Sequence, residues 1–180
     1  MLNADGINFN AFLPLFGDKR LGVPVAVLTD GDAASIGDPP SATATGLKAK
    51  EANIPNLRVE YSEITFEHEL ARSAGILPLM LKAFETLHPI NGQSLKETVN
   101  GLDSDDKKAD AFLAMFIHTD TSKGFFAQEL AALLETSGLQ VKAVPHYILE
   151  ALRFLSVIKT GTKDEQAGNT AGSNPVPESD

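Results

Sequence analysis

Two rhythms of apolar residues divide this chain. Val23-Pro24-Val25-Ala26-Val27-Leu28 is a continuous apolar run with a β-branched bias. It is bounded by Gly22 and by Asp30-Gly31-Asp32, and so predicts a strand buried on both faces, as in a parallel sheet. Pro24 falls near its start, where a missing donor is tolerated. Leu57-Arg58-Val59-Glu60-Tyr61 alternates and predicts a second strand. Elsewhere the spacing is three and four. Phe9, Phe12, Leu13 and Phe16 suit a short amphipathic helix ended near Gly17, and residues 43–53 suit a modest polar helix. A helix opens at Thr65 and runs to Ala74, and further helical patterns cover 76–88, 105–117, 124–136 and 145–158. The order is strand, helix, strand, then helices only. It predicts an α/β fold: a small parallel sheet with flanking helices over residues 1–75 and a C-terminal helical extension over 76–158. Residues 159–180 carry almost no apolar side chains and are expected to form a disordered tail.

Composition narrows the field. At 180 residues, with 43% hydrophobic and 22% charged, the chain has the balance of an ordinary globular domain. No run approaches the roughly 20 apolar residues of a membrane span. The absence of cysteine excludes disulfides, zinc–thiolate sites and thiol nucleophiles. No signal peptide follows Met1, and the cytoplasm is the expected compartment. The net charge of −9 argues against a duplex-binding module that works by phosphate contacts alone. Part of that excess lies in the tail, where Lys163 is outweighed by Asp164, Glu165, Glu178 and Asp180. Another part is available to divalent cations.

The candidate chemistry begins where the first strand ends. Asp30 and Asp32 are separated by one residue. If the backbone stays extended, both side chains point the same way and reach one cation beyond the carboxyl edge of the sheet. Mg²⁺ takes a few carboxylate oxygens and keeps several waters, which suits such a pair. The same residues are ordinary turn formers, and the buried strand before them is what favours the metal reading. After the second strand, Thr65 and Glu67 supply a hydroxyl and a carboxylate at the same edge; equally, they cap a helix and complement its dipole. His68-Glu69 lacks the second histidine of a zinc-protease helix, because position 72 is Arg72. Ser122 suits an N-cap and puts Lys123 in the first turn of a helix. A cation opposes the dipole there, which marks Lys123 as a candidate to offset charge on a phosphate. The chain has no P-loop, so no nucleotide site is expected, and it has no Gly-x-Ser-x-Gly nucleophile elbow.

Taken in order, several segments resemble one family. They are Asp5-Gly6-Ile7-Asn8-Phe9, Phe12 to Phe16, Val25 to Asp32, Thr65-Phe66-Glu67-x-x-Leu70, Lys123 to Ala131, and Val144-Pro145-x-Tyr147-Ile148. The set is similar to the C-terminal half of OLD-family (overcoming lysogenisation defect) ATP-dependent endonucleases. The resemblance implies a partial Toprim-like sheet that hydrolyses or nicks DNA with two Mg²⁺ or Mn²⁺ ions. It implies Asp30, Asp32, Thr65 and Glu67 as metal-site residues and Lys123 and Asp30 as catalytic. It also implies partnership with an ATPase domain or chain that dimerises, so that a homodimer is one assembly in view. The family's earlier glutamate-bearing strand has no match before Asp5, and the isolated chain is therefore expected to be weakly active or inactive. Two other readings compete. One is a non-catalytic remnant or interaction module with an exposed sheet edge. The other, a receiver-like phosphotransfer domain, would call for a regular fivefold strand–helix alternation, and the helical second half argues against it.

Overall fold

A computed structural model describes residues 8–17 and 20–161. Two strands, β1 (Val25–Thr29) and β2 (Leu57–Tyr61), pair in parallel, with Val27 beside Val59. They are joined through α1 (Ala42–Lys48). The expected α/β class is therefore observed: a small parallel sheet flanked and followed by helices. The remaining helices are α2 (Phe66–Arg72), α3 (Leu77–Leu87), α4 (Pro89–Asn100), α5 (Asp105–His118), α6 (Lys123–Thr136) and α7 (His146–Gly161).

Two apolar cores hold these elements. On one face of the sheet Val27, Leu57 and Val59 pack with Leu13 and with Leu47 of α1. The second core lies among α2 to α6. There the rings of Phe84, Phe112, Phe116 and Phe126 meet with centroids 5.0 to 6.0 Å apart. The last helix, α7, returns to both strands and buries Tyr147 and Ala151. A division of the chain near residue 75 therefore separates the two cores only in part. Leu70 and Ala71 of α2 join the helical core, while α7 belongs to the sheet.

The two edges of the sheet differ. At the outer edge of β2, the Val59 N–H donates to Glu51 and its carbonyl accepts from the Lys48 ammonium at 2.6 Å. In β1, Val25 donates to the Asn56 carbonyl at 2.8 Å and Thr29 accepts from the Ser62 N–H at 3.2 Å. The backbone groups of Ala26 and Leu28 therefore point to the opposite edge, because successive residues of a strand face alternate sides. Among the described residues nothing hydrogen-bonds to them there.

Several local expectations are corrected. The segment around Phe9 to Phe16 is a pair of 3-10 turns, Asn8–Ala11 and Leu13–Leu15, not an amphipathic helix. Pro14 has no N–H for an α-helical bond. The helix predicted over 43–53 stops at Lys48 and tightens into a 3-10 turn, Ala49–Asn53. Pro55 disfavours helical backbone at Ile54, which is extended. Helix α4 lacked a clear apolar rhythm, since its buried residues are only Gly92, Leu95 and Val99. Gly92 allows the crossing with α3: a Cβ there would lie 2.5 Å from Glu85 Cα. Helix α7 continues through Gly161, so the first residues assigned to the tail are helical. The rest of that tail, and Asp5-Gly6-Ile7, lie outside the described residues. Among the described residues no helix is long and apolar enough to cross a membrane.

Candidate functional site

Parallel pairing puts the carboxyl ends of β1 and β2 on one rim, and the chain folds back there in two loops that lock together. Asp32 N–H donates to the Ile64 carbonyl at 2.8 Å, and Ala33 N–H to the Glu63 carbonyl at 3.1 Å. Gly31 is buried between them, its N–H 3.4 Å from Ser62 Oγ. Its φ is not positive; it is required by contact. A Cβ would run into the carbonyl oxygen of Ser62 and come within 2.6 Å of that of Glu63.

This locking delivers Asp30 to the start of α2. Asp30 Oδ1 accepts the Phe66 N–H at 2.8 Å. Glu67, the next residue of α2, has a side chain only 12% exposed, and its Oε1 lies 2.8 Å from Lys123 Nζ. Residues 30, 67 and 123, far apart in the chain, thus converge on one rim. Lys123 opens α6, whose register is held by Phe126 and Leu130 in the helical core. Its neighbour Ser122 occupies the N-cap position but makes no capping bond with its side chain.

The other predicted residues fare differently. Asp32 is exposed and its φ is +53°, so the extended backbone assumed for Asp30 and Asp32 ends before it. The same-side alternation therefore does not apply. The bond to Ile64 turns the chain into the left-handed region that aspartate tolerates. Thr65 caps α2, its hydroxyl accepting the His68 N–H at 3.2 Å.

Charge is concentrated on this rim. Burial pushes the Asp30 carboxyl above its ordinary range. The Phe66 N–H opposes that shift, Glu67 and Asp32 add to it, and Lys123 opposes it. The Lys123 ammonium is raised by its bond to Glu67, against some desolvation, and by the charges of Glu67 and Asp30. The sequence reading missed Tyr147 as a member of the site. It is buried, and its hydroxyl is pushed up by burial and then by the charges of Asp30, Glu69 and Glu67. The segment Val144-Pro145-x-Tyr147-Ile148 belonged to the family resemblance, but only the return of α7 to the sheet brings Tyr147 near. A cleft of about 270 Å³ adjoins Tyr147 and is lined also by Ser62, Glu63 and Arg72. Arg72 is already committed to Glu63 at 2.7 Å, Asp106 at 2.8 Å and Glu69 at 3.3 Å.

His68 is enclosed, with Nε2 3.0 Å from Asp110 Oδ1. Its Nδ1 is buried with no partner among the described residues.

Asp30 and Glu67 offer carboxylate oxygens, and a lysine ammonium already stands where positive charge is called for. Among the described residues no group of three or more His, Asp or Glu is arranged to hold a metal ion. No family model, curated protein or solved structure matches the chain.

Proposed function

We propose that this chain carries part of a metal-dependent phosphodiesterase site, the Toprim portion of a DNA endonuclease of the kind its motifs resemble. The observation that supports this reading is the convergence of Asp30, Glu67 and Lys123 at the carboxyl rim of a parallel sheet, where open α/β folds place their ligands. Asp30 and Glu67 would supply two carboxylates to one Mg²⁺ or Mn²⁺, with water or groups from another segment or chain completing the set. The bound ion supplies Lewis acidity toward a phosphoryl oxygen and a lowered pKa for bound water. Lys123 faces the phosphate and offsets charge that grows on it. Asp32, exposed just beyond Asp30, adds negative potential at the rim. A divalent ion would offset part of the local negative charge on this rim, which otherwise repels a phosphate. A second ion, and hence full two-metal hydrolysis, requires carboxylates from another segment or chain, and an ATPase domain or chain is the partner the resemblance offers. The proposed compartment is the cytoplasm.

Calorimetric titration with Mn²⁺ tests this reading. Wild-type chain should bind one ion, and an Asp30→Asn, Glu67→Gln double variant should lose at least about tenfold in affinity. Indistinguishable titrations would remove the metal site. Nicking of supercoiled DNA by the chain alone should stay near background.

Among the described residues nothing pairs with Ala26 and Leu28 at the edge of β1, which favours a second reading, an interaction module that pairs with another copy of itself there. Sedimentation over a range of concentrations separates the two. Self-association abolished by Leu28→Lys, together with no metal binding, would favour the module.

A further inference from the structure

Side chains occupy the outer edge of β2. The Asn56 carbonyl and the Ser62 N–H bond to β1, so by alternation the backbone groups of Leu57 and Val59 turn outward. Leu57 spends its N–H on the Ile54 carbonyl at 3.0 Å, within its own turn. Val59, in the middle of the strand, presents a donor and an acceptor together, the arrangement to which a neighbouring strand adds. Here Glu51 accepts the N–H, and the Lys48 ammonium donates to the carbonyl at 2.6 Å. Those two side chains lie 3.0 Å apart, so they meet Val59 with an acceptor and a donor side by side, as the backbone of a third strand would. Local structure puts them there. Lys48 closes α1, where a cation suits the end of a helix, and Glu51 follows three residues later in the 3-10 turn Ala49–Asn53. The ammonium also lies 3.5 Å from Glu60.

We infer that Lys48 and Glu51 form an autoinhibitory contact: they stand in for a neighbouring strand and keep the outer edge of β2 from pairing with β2 of a second copy of this chain. A copy of the same strand, antiparallel across a twofold axis, is the partner that meets Val59 with matching groups. To add there it has to displace two charge-assisted hydrogen bonds and gain neutral ones. It also leaves a partly buried ammonium and carboxylate without their backbone partners, their side chains being 33% and 21% exposed. The edge of β1 carries no such guard among the described residues, where nothing hydrogen-bonds to Ala26 and Leu28. Strand addition is thereby confined to one side of the sheet. The inference stands apart from the metal reading, and it holds whether or not β1 itself pairs.

Sedimentation equilibrium on the full chain over a range of concentrations tests it, with circular dichroism confirming the fold of each variant. A Lys48→Ala, Glu51→Ala double variant should self-associate at least about tenfold more tightly than wild type. Adding Leu28→Lys, which blocks the β1 edge, should leave that gain in place. Lys48→Met frees the Val59 carbonyl alone and should shift association in the same direction, whereas Lys48→Arg keeps a charged donor and should stay near wild type. Thr65→Ala weakens the fold away from this edge and should also stay near wild type, which separates strand pairing from loss of stability. Folded Lys48→Met and double-variant proteins that associate no more than wild type overturn the guard. So does a gain that Leu28→Lys erases, or an equal gain in Thr65→Ala.

Discussion

Gly31 decides the position of Asp30. A side chain there has nowhere to go, because the Ser62 and Glu63 carbonyls press on it from the facing loop. Gly31→Ala should therefore cost about 1–3 kcal/mol of stability in urea unfolding and weaken Mn²⁺ binding as well. Loss of neither would mean that the two loops can part without consequence. Asp30 itself is a liability to the metal-free fold. Its carboxyl sits above the ordinary 3.8, chiefly through burial, so the folded chain holds that proton more tightly than the unfolded one. The group's contribution is least unfavourable below about pH 3.8 and becomes destabilising as pH rises through the raised value. Asp30→Asn should accordingly stabilise the fold at pH 7 relative to wild type while weakening Mn²⁺ binding at the proposed site, and the gain should shrink at pH 3.5. A gain as large at pH 3.5 as at pH 7 would contradict the desolvation account. Asparagine can still accept the Phe66 N–H, so the helix start is preserved in this comparison.

At the level of elements, α2 shows how one segment serves fold and site together. Thr65 caps it, Asp30 satisfies a second N–H of its first turn, and Glu67 complements its dipole while pairing with Lys123. Thr65→Ala should cost about 1 kcal/mol and Thr65→Ser much less, measured by chemical unfolding. Equal losses would show that the methyl packing, not the hydroxyl, matters there. The cap was legible from Thr65 alone, as were β1, β2 and most of the helices, because each is dictated by contacts within a few residues. The failures share a cause too. The turns at Asn8–Leu15 and Ala49–Asn53 depended on proline at Pro14 and Pro55 overriding an apolar rhythm. Helix α4 owes its place to Gly92 meeting Glu85 of α3, which no local pattern encodes.

For the whole molecule, the site is assembled between two cores. Asp30 comes from the sheet, Lys123 from the helical core, and α2 joins them by carrying Glu67 on its rim side and Leu70 and Ala71 in the core. Loosening the helical core should thus reach the site. Phe112→Ala removes a ring packed against Phe84, Phe116 and Phe126 and should cost about 3–5 kcal/mol in unfolding. Mn²⁺ affinity at the proposed site should fall with it, because the placement of Glu67 depends on that core through Leu70 and Ala71. A destabilised variant with unchanged metal affinity would show that the sheet alone organises the rim.

By itself the amino-acid sequence determined the class of the fold, the two strands, the capped start of α2 and the acidic and basic residues worth watching. Those features follow from side-chain periodicity, turn chemistry and capping, which act over a handful of residues. Only the tertiary structure decided that Glu67 meets Lys123, that Asp32 leaves the extended line of Asp30, and that Tyr147 returns beside them. These outcomes hang on how helices far apart in the chain pack and how two loops share hydrogen bonds. Such long-range contacts leave no mark in the local pattern of the residues that make them.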